Sequence, residues 1–79
     1  MCEFNVFLKK DGKEEKIAEN IVKVRTYSEG VELKDPLGIP LFIKNSIIEN
    51  VDVMSEKLVL IDVTNNPKIS EIFSEKWGV

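Results

Sequence analysis

The chain has 79 residues, of which 43% are hydrophobic and 32% are charged, and it carries a net charge of −3. This length allows one domain, and the composition is typical of a globular protein rather than a disordered one. The acidic balance argues against nucleic acid as a partner, although it leaves room for a local basic patch. No apolar run is long enough to span a membrane, and Glu3 stands where a signal peptide would be basic, so we expect a cytoplasmic protein.

The first half of the chain predicts strands joined by short turns. In residues 2–9, apolar residues at even positions alternate with mostly polar ones, as in a strand with one buried face. Asp11-Gly12 is a strong hairpin signal because this turn needs positive φ angles. The chain returns through residues 16–27, with a bulge or short bend at 18–20, and turns again at 28–30.

The second half repeats this pattern up to residue 64. Residues 31–35 alternate cleanly, and the tight turn that follows at 35–38 contains Pro36 at its second position. Pro40 has no N–H, so the next strand, at 39–43, is expected at a sheet edge or to begin near this residue. The pattern places Ile47, Val51 and Val53 on one face of a further strand and leaves Phe42, Ile48 and Met54 on the opposite parity. The most continuous apolar run, "LVLIDVT", predicts a central strand.

After residue 64 the hydrophobic period changes from strand to helix. Ile69, Ile72, Phe73 and Trp77 lie at helical spacing on one stripe. The predicted fold is therefore mainly β, with residues 1–64 as a small antiparallel β-barrel of five to seven short strands and residues 65–79 as a C-terminal helical extension. A closed barrel would leave no sheet edges. A chain this short buries a small core, so we also expect a homodimer.

The side chains available for chemistry argue against an enzyme. The chain has no histidine, which rules out a Ser-His-Asp or Cys-His pair, and its four glycines do not form a phosphate-binding loop. Asp62 interrupts the last apolar strand. The favoured interpretation is that it faces solvent, and the alternative is a buried carboxylate with a raised pKa. No spacing selects a pair of carboxylates for acid–base catalysis.

One strand suggests an alternative function in nucleic-acid binding. Lys23, Arg25 and Tyr27 share a parity, so an outward face could stack a base and neutralise phosphates. The same pattern is also typical of an ordinary solvated strand. With one arginine, one tyrosine and no RRM-like motif in the chain, an RNA-binding small barrel is the second hypothesis and nucleic acid is not the expected partner.

The only cysteine, Cys2, directly follows the initiator methionine. Its parity matches Phe4, Val6 and Leu8, so it could be a small core residue. Removal of Met1 would instead leave an α-amine of pKa about 8 and a thiol of pKa about 8.5 on one residue. The amide of Glu3 could add a further nitrogen, and planar nitrogen and thiolate donors suit Ni(II) or Cu(II). A two-fold dimer could bring two such termini together and complete four ligands.

Four stretches together resemble the CooT family of small nickel-binding proteins, which are associated with maturation of carbon monoxide dehydrogenase. They are "MCE-NV-L", the Lys-Asp-Gly turn, "VKVR" and "LVLIDV", and the similarity covers roughly residues 1–64. The resemblance implies a compact β-fold, a homodimer, Ni(II) bound through Cys2, and carbon monoxide dehydrogenase as a possible client. We therefore expect a non-enzymatic, metallochaperone-like accessory protein. The tail after residue 64 extends beyond the short family members, and its role stays open.

Overall fold

The computed structural model of the protein describes residues 3–64, and within this range the chain is almost entirely strand. The prediction of a mainly β protein is confirmed, and the number of strands lies within the predicted range. No helix that could cross a membrane occurs between residues 3 and 64. The seven strands are β1 (Phe4–Lys10), β2 (Lys13–Ile21), β3 (Lys23–Tyr27), β4 (Gly30–Lys34), β5 (Pro40–Lys44), β6 (Ser46–Asp52) and β7 (Lys57–Asp62).

These strands form two sheets. The larger has the order β2-β1-β7-β6, and the smaller has the order β3-β4-β5. β7 lies between β1 and β6, as its continuous apolar sequence predicts. Its pairing with β1 is parallel, with Val6 beside Leu58 and Leu8 beside Leu60, whereas every other pairing is antiparallel. The edge strand β5 begins at Pro40, where a residue without an N–H is tolerated.

The predicted closed antiparallel barrel is not found in the part of the chain that the structure describes. Hydrogen-bonded ladders join neither β2 to β3 nor β5 to β6 within residues 3–64. Instead, the chain passes from one sheet to the other at single-residue corners, as in sandwiches whose strands bend between layers. Val22 makes the first corner and donates its N–H to the Lys34 carbonyl at 2.9 Å. Asn45, with a positive φ of 54°, makes the second. The predicted C-terminal helix lies outside the described residues.

Both sheets contribute to a single apolar core. The even-numbered face of β1 points into this core as predicted, with Val6 fully buried and Phe4 and Leu8 packed against the buried cluster. The buried members of the cluster come from β1, β2 and β7 in the larger sheet and from β4 in the smaller one: Val6, Ile21, Val31, Leu33, Leu58 and Leu60. Because the cluster spans both sheets, we expect them to fold as one unit.

Strand β6 departs from the predicted parity because it contains a bulge. The register shifts between Ile48 and Asn50, so one extra residue is inserted opposite β7. Ile48 therefore packs against the core, whereas Ile47 pairs with Ile61 on the outer face of the sheet. The expectation that Ile47 shares the core face with Val51 is wrong for this reason. Strict alternation holds only where the ladder is regular.

The turn between β4 and β5 is held by Asp35. Its Oδ1 accepts hydrogen bonds from the backbone N–H groups of Leu37 at 2.9 Å and Ile39 at 3.0 Å. The Gly38 N–H donates to the Asp35 carbonyl at 2.9 Å, which closes the predicted tight turn. These contacts explain why an aspartate precedes the proline, since its side chain pairs with the backbone two residues further on.

We expect Asp35→Ala to lower the free energy of unfolding by about 1 kcal/mol, because two exposed N–H groups lose their acceptor to water. Urea unfolding followed by circular dichroism would measure the change. Glu15→Ala, which removes an exposed carboxylate from β2, is the matched control and should have a smaller effect. Equal losses in the two variants would contradict the role given to the Asp35 side chain.

Candidate functional site

The predicted metal ligand, Cys2, lies outside the described residues, but the residue bonded to it does not. The Glu3 N–H donates a long hydrogen bond, 3.4 Å, to Oε2 of Glu56 in the turn between β6 and β7. Two residues later, the Asn5 N–H donates to the Glu56 carbonyl at 2.8 Å. The start of β1 is thus tied to a turn that comes more than 50 residues later in the sequence. Between residues 3 and 64, no group of three or more carboxylates is arranged to hold a metal ion.

An apolar cleft opens near this end of the molecule. It has a volume of about 130 Å³, and its lining has no polar surface. Five side chains from both sheets line it: Phe4, Val24, Ile48, Val51 and Leu58. In the adjoining turn, Met54 is 95% exposed and Val53 is 60% exposed. The described end of the chain that leads to Cys2 therefore lies beside uncovered apolar surface.

The structure brings the three predicted nucleic-acid residues together on the outer face of β3. Lys23, Arg25 and Tyr27 are all exposed, and the Arg25 Cζ lies 5.9 Å from the centroid of the Tyr27 ring. Val24 points to the opposite side and packs against the core. The predicted parity of this strand is confirmed.

The sheet register adds further residues to that face, which the sequence reasoning did not include. Phe42 pairs with Glu32, which in turn pairs with Arg25, so all three share a side. The Tyr27 and Phe42 rings lie 6.1 Å apart between centroids, tilted by 56°. Lys34 and Lys44 join the same face through their pairing with Lys23 and with Gly30. The two tight turns at 28–30 and 35–38 were the available signal, because short turns fix the register of a meander.

Gly30 is needed at its position in the central strand of this sheet. An added Cβ at Gly30 would overlap the carbonyl oxygen of Ile43 on β5. Gly30 therefore lets β4 and β5 approach closely at the end of the sheet where Tyr27 and Lys44 flank it. The face has a shallow notch at this point, because the central residue has no side chain.

Asp62 is half-buried, and its carboxylate is stabilised as the anion. Its Oδ1 accepts a hydrogen bond from the Thr64 N–H at 2.8 Å. This bond, opposed by some desolvation and aided by Lys10, lowers the pKa of Asp62 below the ordinary value of 3.8. The alternative of a buried carboxyl group with a raised pKa is therefore wrong. A backbone donor at the end of β7 favours the charged form.

The lowered pKa predicts how Asp62 affects stability at acid pH. A carboxyl group with a depressed folded-state pKa adds stability above its unfolded pKa, near 3.8, and loses that contribution as pH falls through the folded value. We expect Asp62→Asn to flatten the decline in stability below about pH 4 and to leave its shape at neutral pH unchanged. Urea unfolding across this pH range would test it. An unaltered acid limb in the variant would contradict the assignment.

Comparisons with known proteins were consistent in sequence and in fold. A family model described as "CO dehydrogenase accessory protein CooT" matches residues 1–69. The fold is similar to the crystal structure of a protein described as "putative CooT" from Carboxydothermus hydrogenoformans, with a TM-score of 0.66. The two chains are 25% identical, and the match covers 76% of this chain and 95% of that one. No curated protein matches the chain.

Proposed function

Since the chain belongs to the CooT family of CO dehydrogenase accessory proteins, we propose that it binds Ni(II) through Cys2 in a homodimer and supplies carbon monoxide dehydrogenase. The observation that carries this proposal is the match of the family model to residues 1–69. That range includes the only cysteine of the chain, at the second position. The accessory role follows from family membership, and the metal, the ligand and the assembly are our inference.

The donor chemistry of Cys2 suits nickel as a cargo. After removal of Met1, the α-amine and the thiolate of Cys2 would form one short chelate. Deprotonated amide nitrogen from Glu3 could extend it, and such nitrogen and sulfur donors favour the planar geometry of Ni(II). Binding through these groups must release protons, because the amine and thiol titrate at about 8 and about 8.5 when free.

The contact between Glu3 and Glu56 gives this chemistry a structural consequence. In the described state the Glu3 N–H is protonated and points to the Glu56 carboxylate at 3.4 Å. Coordination by that amide nitrogen would remove the proton and end the hydrogen bond. The bond is long, so little stabilisation is lost when it breaks. The backbone bond from Asn5 to the Glu56 carbonyl would still hold the start of β1 in place.

A second copy of the chain would complete the site. One Cys2 terminus supplies two or three donors, and two termini related by a two-fold axis supply a full planar set. The apolar cleft between the sheets, together with exposed Met54, supports this arrangement. A partner that covers this surface would bury apolar area at the end of the molecule where the described chain begins.

The experiment is a nickel titration of protein from which Met1 has been removed, with cleavage first verified by mass spectrometry. Thiolate-to-nickel absorption, the heat of binding and the mass of the assembly would be followed together. We expect one nickel ion for each pair of chains, and weaker Co(II) binding at the same pH. Saturation without thiolate absorption, or with a monomer as the nickel-bound species, would contradict the proposal.

A further inference from the structure

We propose that the outer face of the β3-β4-β5 sheet binds single-stranded nucleic acid. We call this surface the β3–β5 face, and it consists of Lys23, Arg25, Tyr27, Gly30, Glu32, Lys34, Pro40, Phe42 and Lys44. The proposal is independent of nickel, because the face lies on the smaller sheet, whereas the described end of the chain that leads to Cys2 is anchored on the larger one.

The charge of this face is opposite to that of the whole protein. The chain has a net charge of −3, yet the face carries four basic side chains against the single carboxylate of Glu32. Lys23 and Arg25 lie along one edge strand, and Lys44 lies on the other, so cations flank the aromatic residues on both sides. A phosphate backbone could follow either edge while its bases lie over the middle.

The aromatic pair lies on this face, where it can stack with bases. The side chains of Tyr27 and Phe42 are exposed by 44% and 41%, which is unusual for aromatic residues on a small sheet. Their ring centroids are 6.1 Å apart, whereas a base inserted between two parallel rings would need about 7 Å. A base must therefore stack on the outer surface of a ring rather than between the two. Arg25, at 5.9 Å from the Tyr27 centroid, extends that platform with a second planar group.

The combination favours nucleic acid over an acidic protein. Basic side chains alone would suit either polyanion, but aromatic rings among them add affinity for partners with flat bases. A duplex would offer its phosphates without access to the base faces, so the geometry points to single strands. Stacking is tolerant of sequence, and we expect little preference among bases beyond their stacking strength.

The test is fluorescence anisotropy with labelled oligouridylate and oligothymidylate of about 12 nucleotides, titrated with the full chain at low ionic strength. We expect both to bind, with log K falling linearly with log salt. Each phosphate contact contributes a slope of about −0.7 for single strands. Lys23→Ala should therefore reduce the magnitude of the slope by about 0.7. A preference for the ribose oligonucleotide would identify RNA as the ligand, and equal affinity would indicate any single strand.

Variants separate stacking from charge. Tyr27→Leu and Phe42→Leu keep apolar bulk on the strand and should each lower affinity at least about five-fold. Lys13→Ala and Leu37→Ala remove a cation and an exposed apolar side chain elsewhere, and they should leave affinity unchanged. Circular dichroism would verify that each variant is folded. Cys2→Ser should also bind as tightly as the parent, so that failure of nickel binding and failure of this proposal are distinguishable.

Four results would overturn the proposal. The first is no binding of either oligonucleotide at low ionic strength. The second is binding that depends on the basic residues but not on Tyr27 and Phe42, since stacking would then play no part. The third is displacement by polyglutamate as effectively as by unlabelled oligonucleotide, which would identify the face as a site for acidic protein. The fourth is loss of binding in Cys2→Ser, which would place the site at the start of the chain.

Discussion

Cys2→Ser is expected to abolish tight Ni(II) binding, with a loss in affinity of at least about 100-fold. Loss of a residue that only supports a ligand typically costs 10- to 100-fold, and loss of the thiolate ligand itself should cost more. A serine hydroxyl stays protonated at neutral pH and is a poor donor for nickel beside an amine. The change should leave the fold intact, because the buried cluster begins at Val6 and its described members lie between residues 6 and 60.

The measurement is calorimetric titration with Ni(II), supported by the absorption of the nickel–thiolate bond. A matched control keeps the thiol and moves the amine: one added residue ahead of Cys2 separates the two donors of the chelate. We expect this variant to bind more weakly than the parent but more tightly than Cys2→Ser. If Cys2→Ser bound nickel as tightly as the parent, the metal would be held by other groups and the proposed function would fail.

The local features of the fold were predictable from the sequence, because each rests on neighbouring residues. Asp11 and Gly12 both have positive φ angles, as the hairpin turn requires. The bend predicted at 18–20 is a bulge in β2, with the register against β1 shifting near Ala18 and Asn20 at a φ of 59°. The alternation in β3 and β4 also holds. Turn chemistry and period of two identify these elements without reference to the rest of the chain.

The arrangement of the sheets was not predictable in the same way. The parallel pairing of β1 with β7 joins residues that are about 50 positions apart, and no local signal specifies it. The corners at Val22 and Asn45 divert the chain from one sheet to the other, whereas a continuous alternation suggests a barrel. The bulge that turns Ile48 inward depends on tertiary packing against β7, which the sequence of β6 alone does not reveal.

The candidate sites divide along the same line. The chemistry of Cys2 could be argued from the sequence because it depends on one residue and its own backbone. The β3–β5 face could be predicted only in part, since Lys23, Arg25 and Tyr27 lie on one strand but Phe42 reaches them through two ladders. Its position required the register across two turns. What a single strand presents is readable from its parity, and what several strands present together is not.

Leu33→Ala is expected to lower the free energy of unfolding by about 3 kcal/mol, a large share of the roughly 4–12 kcal/mol expected for a chain of this length. Leu33 is fully buried on β4, the central strand of the smaller sheet. It belongs to the same cluster as Leu58 and Leu60 of the larger sheet. Truncation leaves a cavity where the two sheets meet, and the loss should therefore affect both.

Urea unfolding would measure the loss, and amide hydrogen exchange would show how it is distributed. The matched control is Leu37→Ala, the same chemical change at a side chain that is 83% exposed, which should change stability by less than about 0.5 kcal/mol. In Leu33→Ala we expect the amides of β7 to lose protection together with those of β4, because one cluster supports both strands. Protection lost in β3, β4 and β5 but kept in β7 would show that the sheets unfold separately. The cooperative unit would then be the sheet, and the shared cluster would contribute little to coupling the face on one sheet to the chain start on the other.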